Sequence, residues 1–90
     1  MGTQHKLFGS LILFQALIKL GFTTNDHQKG SHVKLYPPKK IIVPLGLKPF
    51  MIVQMGKKQF DKHECSRYIS ELVQKGVDKK EIIKLMKDCE

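Results

Sequence analysis

The sequence has little of what marks most enzyme and secreted-protein classes. Its two cysteines, Cys65 and Cys89, form neither a C-x-x-C pair nor a disulfide framework, which favours a reducing, cytoplasmic compartment. The sequence contains no glycine-rich phosphate loop, Ser-His-Asp order or carboxylate pair, so the familiar enzyme classes built on them lack support. The apolar run from Leu11 to Ile18 is shorter than the roughly 20 residues that cross a bilayer, and we expect no membrane span.

Metal ligands are also scarce. His63 and Cys65 have the spacing of half a metal site, but no second half accompanies them in the sequence. We therefore expect Cys65 to be a small buried hydrophobe, and we expect neither a metal nor another cofactor.

Acidic residues are few, and the resulting charge is the most informative property of the chain. Sixteen Lys and Arg against eight Asp and Glu leave a net charge of +8, and the sequence pI is about 9.7. Such an excess favours polyanions, of which phosphate backbones are the commonest, so nucleic acid is the expected partner and a solubility charge is the alternative. The lysines of the middle of the chain, where acids are rare, are Lys29, Lys34, Lys39, Lys40, Lys48, Lys57, Lys58 and Lys62.

The apolar periodicity predicts one α+β domain over residues 1–90. Apolar residues recur at helical steps from Gln4 to Leu20, and Gly21 follows where a C-cap glycine belongs. This first helix is apolar over most of its circumference. It is therefore either deeply buried or partly covered by another chain, and a homodimer through it is one hypothesis.

The middle of the chain predicts three or four short antiparallel strands joined by basic turns. From Ser31 to Tyr36 the pattern alternates, which turns Val33 and Leu35 to the core and puts His32, Lys34 and Tyr36 on the opposite, wet face. Further strands are expected at residues 22–24, 41–43 and 50–53, and Lys39 and Lys40 occupy a turn after two prolines.

Two helices are expected at the C-terminal end. Asp61 and Glu64 have the spacing of a capping box, Gly76 ends the helix that follows, and Asp78 with Glu81 repeats the pattern. The order helix, sheet, helix, helix predicts that the helices pack on one face of the sheet.

His32 is the candidate for chemistry, because it lies beside a Gly-Ser pair and in line with Lys34 and Tyr36. RNA strand cleavage needs a base that removes the proton of the 2′-hydroxyl and a positive charge that stabilises the phosphorane. The imidazole of His32 can serve as base or acid, and Lys29 or Lys34 supplies the charge. A binding-only interpretation uses the same face: Lys34, Lys39 and Lys40 grip phosphates while Tyr36 stacks on a base.

The residues 19–22, 28–35 and 42–45 resemble the HicA (YcfA-like) toxins, and the similarity runs from about Leu11 to Met86. Those toxins are small mRNA interferases of a toxin–antitoxin system, with a fold like that of the double-stranded-RNA-binding domain. The resemblance implies that His32 is catalytic in a metal-independent endoribonuclease, and that a HicB-type antitoxin is the protein partner. The residues expected to contact RNA are Lys29, Gly30, Ser31, Lys34, Tyr36, Lys39 and Lys40.

Two departures from the family pattern leave other interpretations open. Gly46 stands where the family has a second histidine, and residues 47–59 look like an insertion. His63 is a candidate to replace that histidine in space, a question that the sequence leaves open. A related domain in certain archaeal intein endonucleases resembles a DNA-contacting accessory module. The alternatives are therefore a non-catalytic DNA- or RNA-binding module and a protein-interaction module that uses the first helix.

Overall fold

A computed structural model describes residues 7–24 and 31–89 of the chain. In this part the chain forms three helices and one antiparallel pair of strands, so the predicted α+β class is confirmed. The elements are α1 (Ser10–Lys19), β1 (His32–Leu35), β2 (Met51–Gln54), α2 (Lys62–Gln74) and α3 (Lys79–Asp88).

Helix α1 begins later than the periodicity predicted, at Ser10 instead of Gln4. The cause is that the backbone of Phe8 makes hydrogen bonds outside the helix. The Phe8 carbonyl accepts from the Phe60 N–H at 2.8 Å, and the Phe8 N–H donates to Cys65 Sγ at 3.5 Å. Gly9 caps the helix with an extended backbone, and any side chain there would clash with the carbonyl of Lys58.

Glycines end α1 and α2, as predicted. Gly21 and Gly76 have φ angles of +102° and +99°, in the left-handed region that glycine adopts readily. In α1 the N–H of Phe22 donates to Leu17 and that of Gly21 to Ile18, both at 3.0 Å. Val77 and Gly76 donate in the same way at the end of α2, which makes both ends Schellman motifs.

The capping residues of the C-terminal helices are also those predicted. The Glu64 N–H donates to Asp61 Oδ1 at 2.8 Å, and the Asp61 N–H donates back to Glu64 Oε1 at 3.2 Å, which completes a capping box. Asp78 caps α3 by accepting from the Lys80 N–H at 3.0 Å, one residue before Glu81, so this helix starts with a simple N-cap instead of the second capping box that the spacing predicted.

The described residues contain two strands, fewer than the three or four predicted. Residues 41–43 are not a strand: the Ile41 N–H closes a turn on the Pro38 carbonyl, and Ile42 is 84 % exposed. Pro37, Pro38 and Pro44 explain the error, because proline has no N–H to give to a neighbouring strand. Of residues 22–24, only Thr23 is paired, in a single antiparallel bridge to Tyr36, the residue after β1.

Strand β2 lies where a strand was expected, in the segment 47–59 interpreted as an insertion. It pairs with β1 in the register Val33 to Val53 and Leu35 to Met51, and all four of these side chains are buried. They belong to one hydrophobic cluster with the buried residues of all three helices. The helices therefore pack against the inner face of the sheet, and Met51 and Val53 of the segment 47–59 belong to the core.

Helix α1 is neither deeply buried nor fully exposed. Leu13, Ala16 and Leu17 are completely buried, whereas Leu11 is 62 % and Ile18 43 % exposed. One side of the helix therefore fills the core, and the other presents apolar side chains at the surface.

Ser10 joins the start of α1 to the edge of β2 that is not paired with β1. Its Oγ donates to the Gln54 carbonyl at 2.6 Å and accepts from the Lys57 N–H at 3.0 Å, while its own N–H donates to the Lys57 carbonyl at 3.0 Å. Beside it, the Gln54 N–H donates to the Tyr68 hydroxyl at 3.1 Å. We call this group of Ser10, Gln54, Lys57 and Tyr68 the edge latch.

Replacing Ser10 with alanine should destabilise the domain, because it leaves the Gln54 carbonyl and the Lys57 N–H without the hydroxyl that satisfies both. We expect the free energy of unfolding to fall by about 2 kcal/mol, measured by urea denaturation. Ser70→Ala, on the exposed face of α2, is the matched control and should change it by less than about 0.5 kcal/mol. Equal losses in the two variants would contradict the role given to the latch.

Candidate nucleic-acid interface

The outer face of the sheet carries the side chains predicted to form the site. His32, Lys34 and Tyr36 are exposed, while Val33 and Leu35 between them are fully buried. The alternation predicted for this strand is therefore confirmed, and it places the imidazole, the ammonium group and the phenol on one side of β1.

Strand β2 supplies the other half of this face. His32 lies opposite Gln54 and Lys34 opposite Ile52. The Met55 N–H donates to the Ser31 carbonyl, and both backbone polar groups of Gln54 point instead to the edge latch. His32 with Gln54 and Lys34 with Ile52 are therefore non-hydrogen-bonded pairs, in which the side chains of an antiparallel sheet lie closest together.

Phe50 is a residue of this face that the sequence analysis missed. Its ring centroid lies 6.2 Å from that of Tyr36 with the planes inclined by 59°, and Lys34 Nζ lies 4.8 Å from the centre of the Phe50 ring. The signal for it was available in the alternation of the run 50–53, in which Phe50 has the parity of the exposed Ile52. The assignment needed the register between the strands, which the sequence does not supply.

Ser31 contacts the candidate catalytic histidine. Ser31 Oγ lies 3.0 Å from His32 Nδ1, and both residues are exposed. In the tautomer in which Nδ1 donates to the serine, Nε2 is the basic nitrogen. The pair thus combines an imidazole at the surface with a hydroxyl that orients it.

The remaining predicted contacts fall in different places. Lys39 and Lys40 are exposed in the turn that follows β1, and Lys39 lies within about 10 Å of Tyr36 along the chain. Lys29 and Gly30 lie outside the described residues. The structure therefore brings together Ser31, His32, Lys34 and Tyr36 and puts two further lysines just beyond the end of the strand.

Gly46, where the resembled family has a second histidine, lies in an exposed turn. Gly46 is in a turn in which the Leu47 N–H donates to the Pro44 carbonyl at 3.3 Å, and a side chain at this glycine would meet no atom within 4 Å. His63, the expected spatial substitute, is exposed in the first turn of α2, a helix whose buried residues pack on the inner face of the sheet.

Cys65 is buried, as predicted. Its Sγ lies 3.7 Å from the carbonyls of Phe8 and Phe60, to which the thiol donates. Burial raises the pKa of this thiol above its ordinary value of 9.0, and the nearby carboxylates of Asp61 and Glu64 act in the same direction. Within residues 7–24 and 31–89, no three His, Cys, Asp or Glu side chains are grouped so as to hold a metal ion.

None of the described helices has the length and apolar character needed to cross a membrane.

Comparison with known proteins found no significant match to a protein-family model, to a curated protein or to a solved structure.

The two cysteines should differ in reactivity, because Cys65 is buried with a raised pKa whereas Cys89 is half-buried at the end of α3. In native protein at neutral pH, iodoacetamide should modify Cys89 and leave Cys65 intact, as read by peptide mass spectrometry. In denaturant both should react. Equal rates in the native protein would show that Cys65 is accessible.

The same raised pKa has a consequence for stability. Above pH 9.0 the unfolded chain loses the Cys65 proton before the folded protein does, so stability should fall as the pH rises. Cys65→Ala should show a smaller decrease in the free energy of unfolding over that range, measured by urea titration at each pH.

Proposed function

We propose that this domain binds RNA on the outer face of its sheet and cleaves the strand with His32. The observation that carries the proposal is the juxtaposition on one exposed face of an imidazole, a lysine and an aromatic ring, at two alternate positions of β1 and at the residue that follows it. These are the groups that RNA cleavage and RNA binding require: a proton acceptor, a cation for phosphate and a ring for a base.

The chemistry follows from the position of the imidazole. His32 Nε2 takes the proton of a 2′-hydroxyl, whose oxygen then bonds to the adjacent phosphorus, and the bond from phosphorus to the 5′-oxygen breaks. A proton from water completes the leaving 5′-hydroxyl, and the proton on His32 returns to solvent. The products are a 2′,3′-cyclic phosphate and a 5′-hydroxyl, and no metal ion takes part in this scheme.

Ser31 and Lys34 assist His32 in different ways. Ser31 Oγ lies 3.0 Å from His32 Nδ1, and in the tautomer that this mechanism uses it accepts from Nδ1–H and leaves Nε2 as the basic nitrogen, which makes Ser31 a positioning residue. Lys34, one exposed side chain further along β1, puts positive charge next to the phosphorane as it forms. Lys39 and Lys40 extend the positive surface into the turn that follows β1. Lys29 and Gly30 lie outside the described residues and remain contacts proposed from the sequence.

The HicA-like toxin is the specific form of this proposal, and it rests on the Gly30-Ser31-His32 motif. A fold like the double-stranded-RNA-binding domain is compatible with a helix followed by antiparallel strands and further helices, and the Thr23–Tyr36 bridge would mark the remnant of a third strand. The partner implied is a HicB-type antitoxin that covers the outer sheet face. The toxin would act in the cytoplasm.

A non-catalytic DNA- or RNA-binding module is the second candidate, and Gly46 is the observation that favours it. A side chain in its exposed turn would touch nothing, so the position contributes no second catalytic group. In that case His32 would contact nucleic acid without transferring a proton.

The exposed apolar side of α1 supports the weaker third interpretation, a protein-interaction module or homodimer. Leu11 and Ile18 would lie in the contact. Sedimentation equilibrium tests it: a dimer that Leu11→Lys converts to a monomer would support the interface, and a strictly monomeric parent protein would remove it.

Replacing His32 with alanine should abolish cleavage of labelled single-stranded RNA, because a general base contributes about 100-fold or more to such a rate. The assay contains EDTA and is read on denaturing gels. His63→Ala is the matched control, since this exposed histidine lies on α2, and it should cleave at the parent rate. Equal cleavage by the parent and by His32→Ala would overturn the catalytic role and leave binding as the function.

Binding should depend on salt through the lysines of the outer face. With single strands, the logarithm of the association constant falls linearly with the logarithm of the salt concentration. The slope should become shallower by about 0.7 for each phosphate contact removed. We expect this shallower slope in Lys39→Ala and in Lys40→Ala, and no change in Lys84→Ala on α3, by fluorescence anisotropy. A parent affinity that does not change with salt would contradict nucleic-acid binding altogether.

A further inference from the structure

Phe50 lies at the point where the two strands diverge into their connection. It directly precedes β2, and continuation of the register from the pair Leu35–Met51 puts it opposite Tyr36. Because positions of this parity are non-hydrogen-bonded pairs, the two rings are held close together, with their centroids 6.2 Å apart. Tyr36 is also tied on its other side by two backbone hydrogen bonds to Thr23, at 2.9 and 2.7 Å.

The ring of Phe50 also organises the lysine of the site. Lys34 Nζ lies 4.8 Å from the ring centre, within the range of a cation–π interaction. Phe50 therefore contacts both a cation suited to phosphate and an aromatic ring suited to a base. On β1 these two side chains are two residues apart, or about 7 Å, which is close to the spacing of successive nucleotides in an extended strand.

We infer that Tyr36 and Phe50 together form a nucleobase subsite, in which one unpaired base stacks on Tyr36 while Lys34 holds a neighbouring phosphate. The inference rests on the proposed function and deepens it. Phe50 is the positioning residue: it fixes the tilt of Tyr36 from across the sheet and holds the ammonium group of Lys34 above its own ring. Tyr36 keeps 38 % of its surface exposed in this arrangement, which is the surface the base would cover.

The inference separates the contribution of the base from that of the phosphates. An unpaired base stacked on an aromatic side chain contributes on the order of tenfold in affinity. A base inside a duplex has no free face to offer, so a duplex would bind only through its phosphates. An abasic strand, which keeps its phosphates and lacks the ring, should bind in the same weaker way.

The experiment compares three ligands that this protein cannot cut: a short 2′-O-methyl RNA strand, the same strand with abasic residues, and its duplex. Phe50→Leu removes the ring and keeps an apolar side chain. It should weaken binding of the base-bearing strand on the order of tenfold and that of the abasic strand by much less, through the loss of the contact with Lys34 alone. Phe14→Leu, the same substitution at a half-buried phenylalanine of α1, is the matched control and should change neither.

Tyrosine fluorescence gives a direct second measurement. The chain has no tryptophan and two tyrosines, of which Tyr68 is buried, so quenching by a stacked base reports on Tyr36. The base-bearing strand should quench the emission of the parent protein, and the abasic strand should not. Tyr36→Phe should keep the affinity for the base-bearing strand and lose the quenching.

The outcomes distinguish failure of the nucleobase subsite from failure of the proposed nucleic-acid binding. If the parent protein binds none of the ligands at low salt, the proposed function fails and the subsite with it. If all three ligands bind equally well, or Phe50→Leu weakens the base-bearing and abasic strands alike, the domain binds nucleic acid without a base subsite. Should Phe50→Leu not fold by circular dichroism, Tyr36→Leu at the exposed partner makes the same comparison, and an unchanged preference for the base-bearing strand would overturn the inference.

Discussion

The structure depends on how the outer edge of β2 is closed. A two-stranded sheet has little stability of its own, and it needs packing and edge protection from other elements. The edge latch provides both at Gln54. The Ser10 hydroxyl donates to the Gln54 carbonyl, and the Gln54 N–H donates to the Tyr68 hydroxyl. Because Ser10 begins α1 and Tyr68 lies in α2, these bonds attach two helices to one strand and fix the helices on the inner side.

Among the described residues, the outer face of the sheet is exposed because the three helices all pack on the inner face. Val33, Leu35, Met51 and Val53 all point to the helices. The side chains of alternate parity, His32 among them, have no layer above them in the described residues. A domain of this size that buried both faces would have no comparable surface on which to line up an imidazole, an ammonium group and two rings.

Local patterns predicted much of this, and the reasons are physical. The caps at Asp61 and Asp78 and the glycines that end α1 and α2 are encoded within a few residues, so they could be read directly. The alternation along β1 was equally local. The predictions that were wrong depended on more distant residues. The start of α1 is set by the hydrogen bond between Phe8 and Phe60, which are far apart in the sequence. Residues 41–43 have the composition of a strand, but the prolines on either side prevent pairing. Phe50 was missed for the same reason, since only the register brings it beside Tyr36.

The connection between β1 and β2 has a consequence for how the chain can be rearranged. Residues 44–49 are all exposed, while Tyr36 and Phe50 meet at the base of the connection. The two strands are thus held to each other by their ladder and by this ring contact, and not by the covalent link between them. Another domain inserted at this turn should therefore leave the sheet intact.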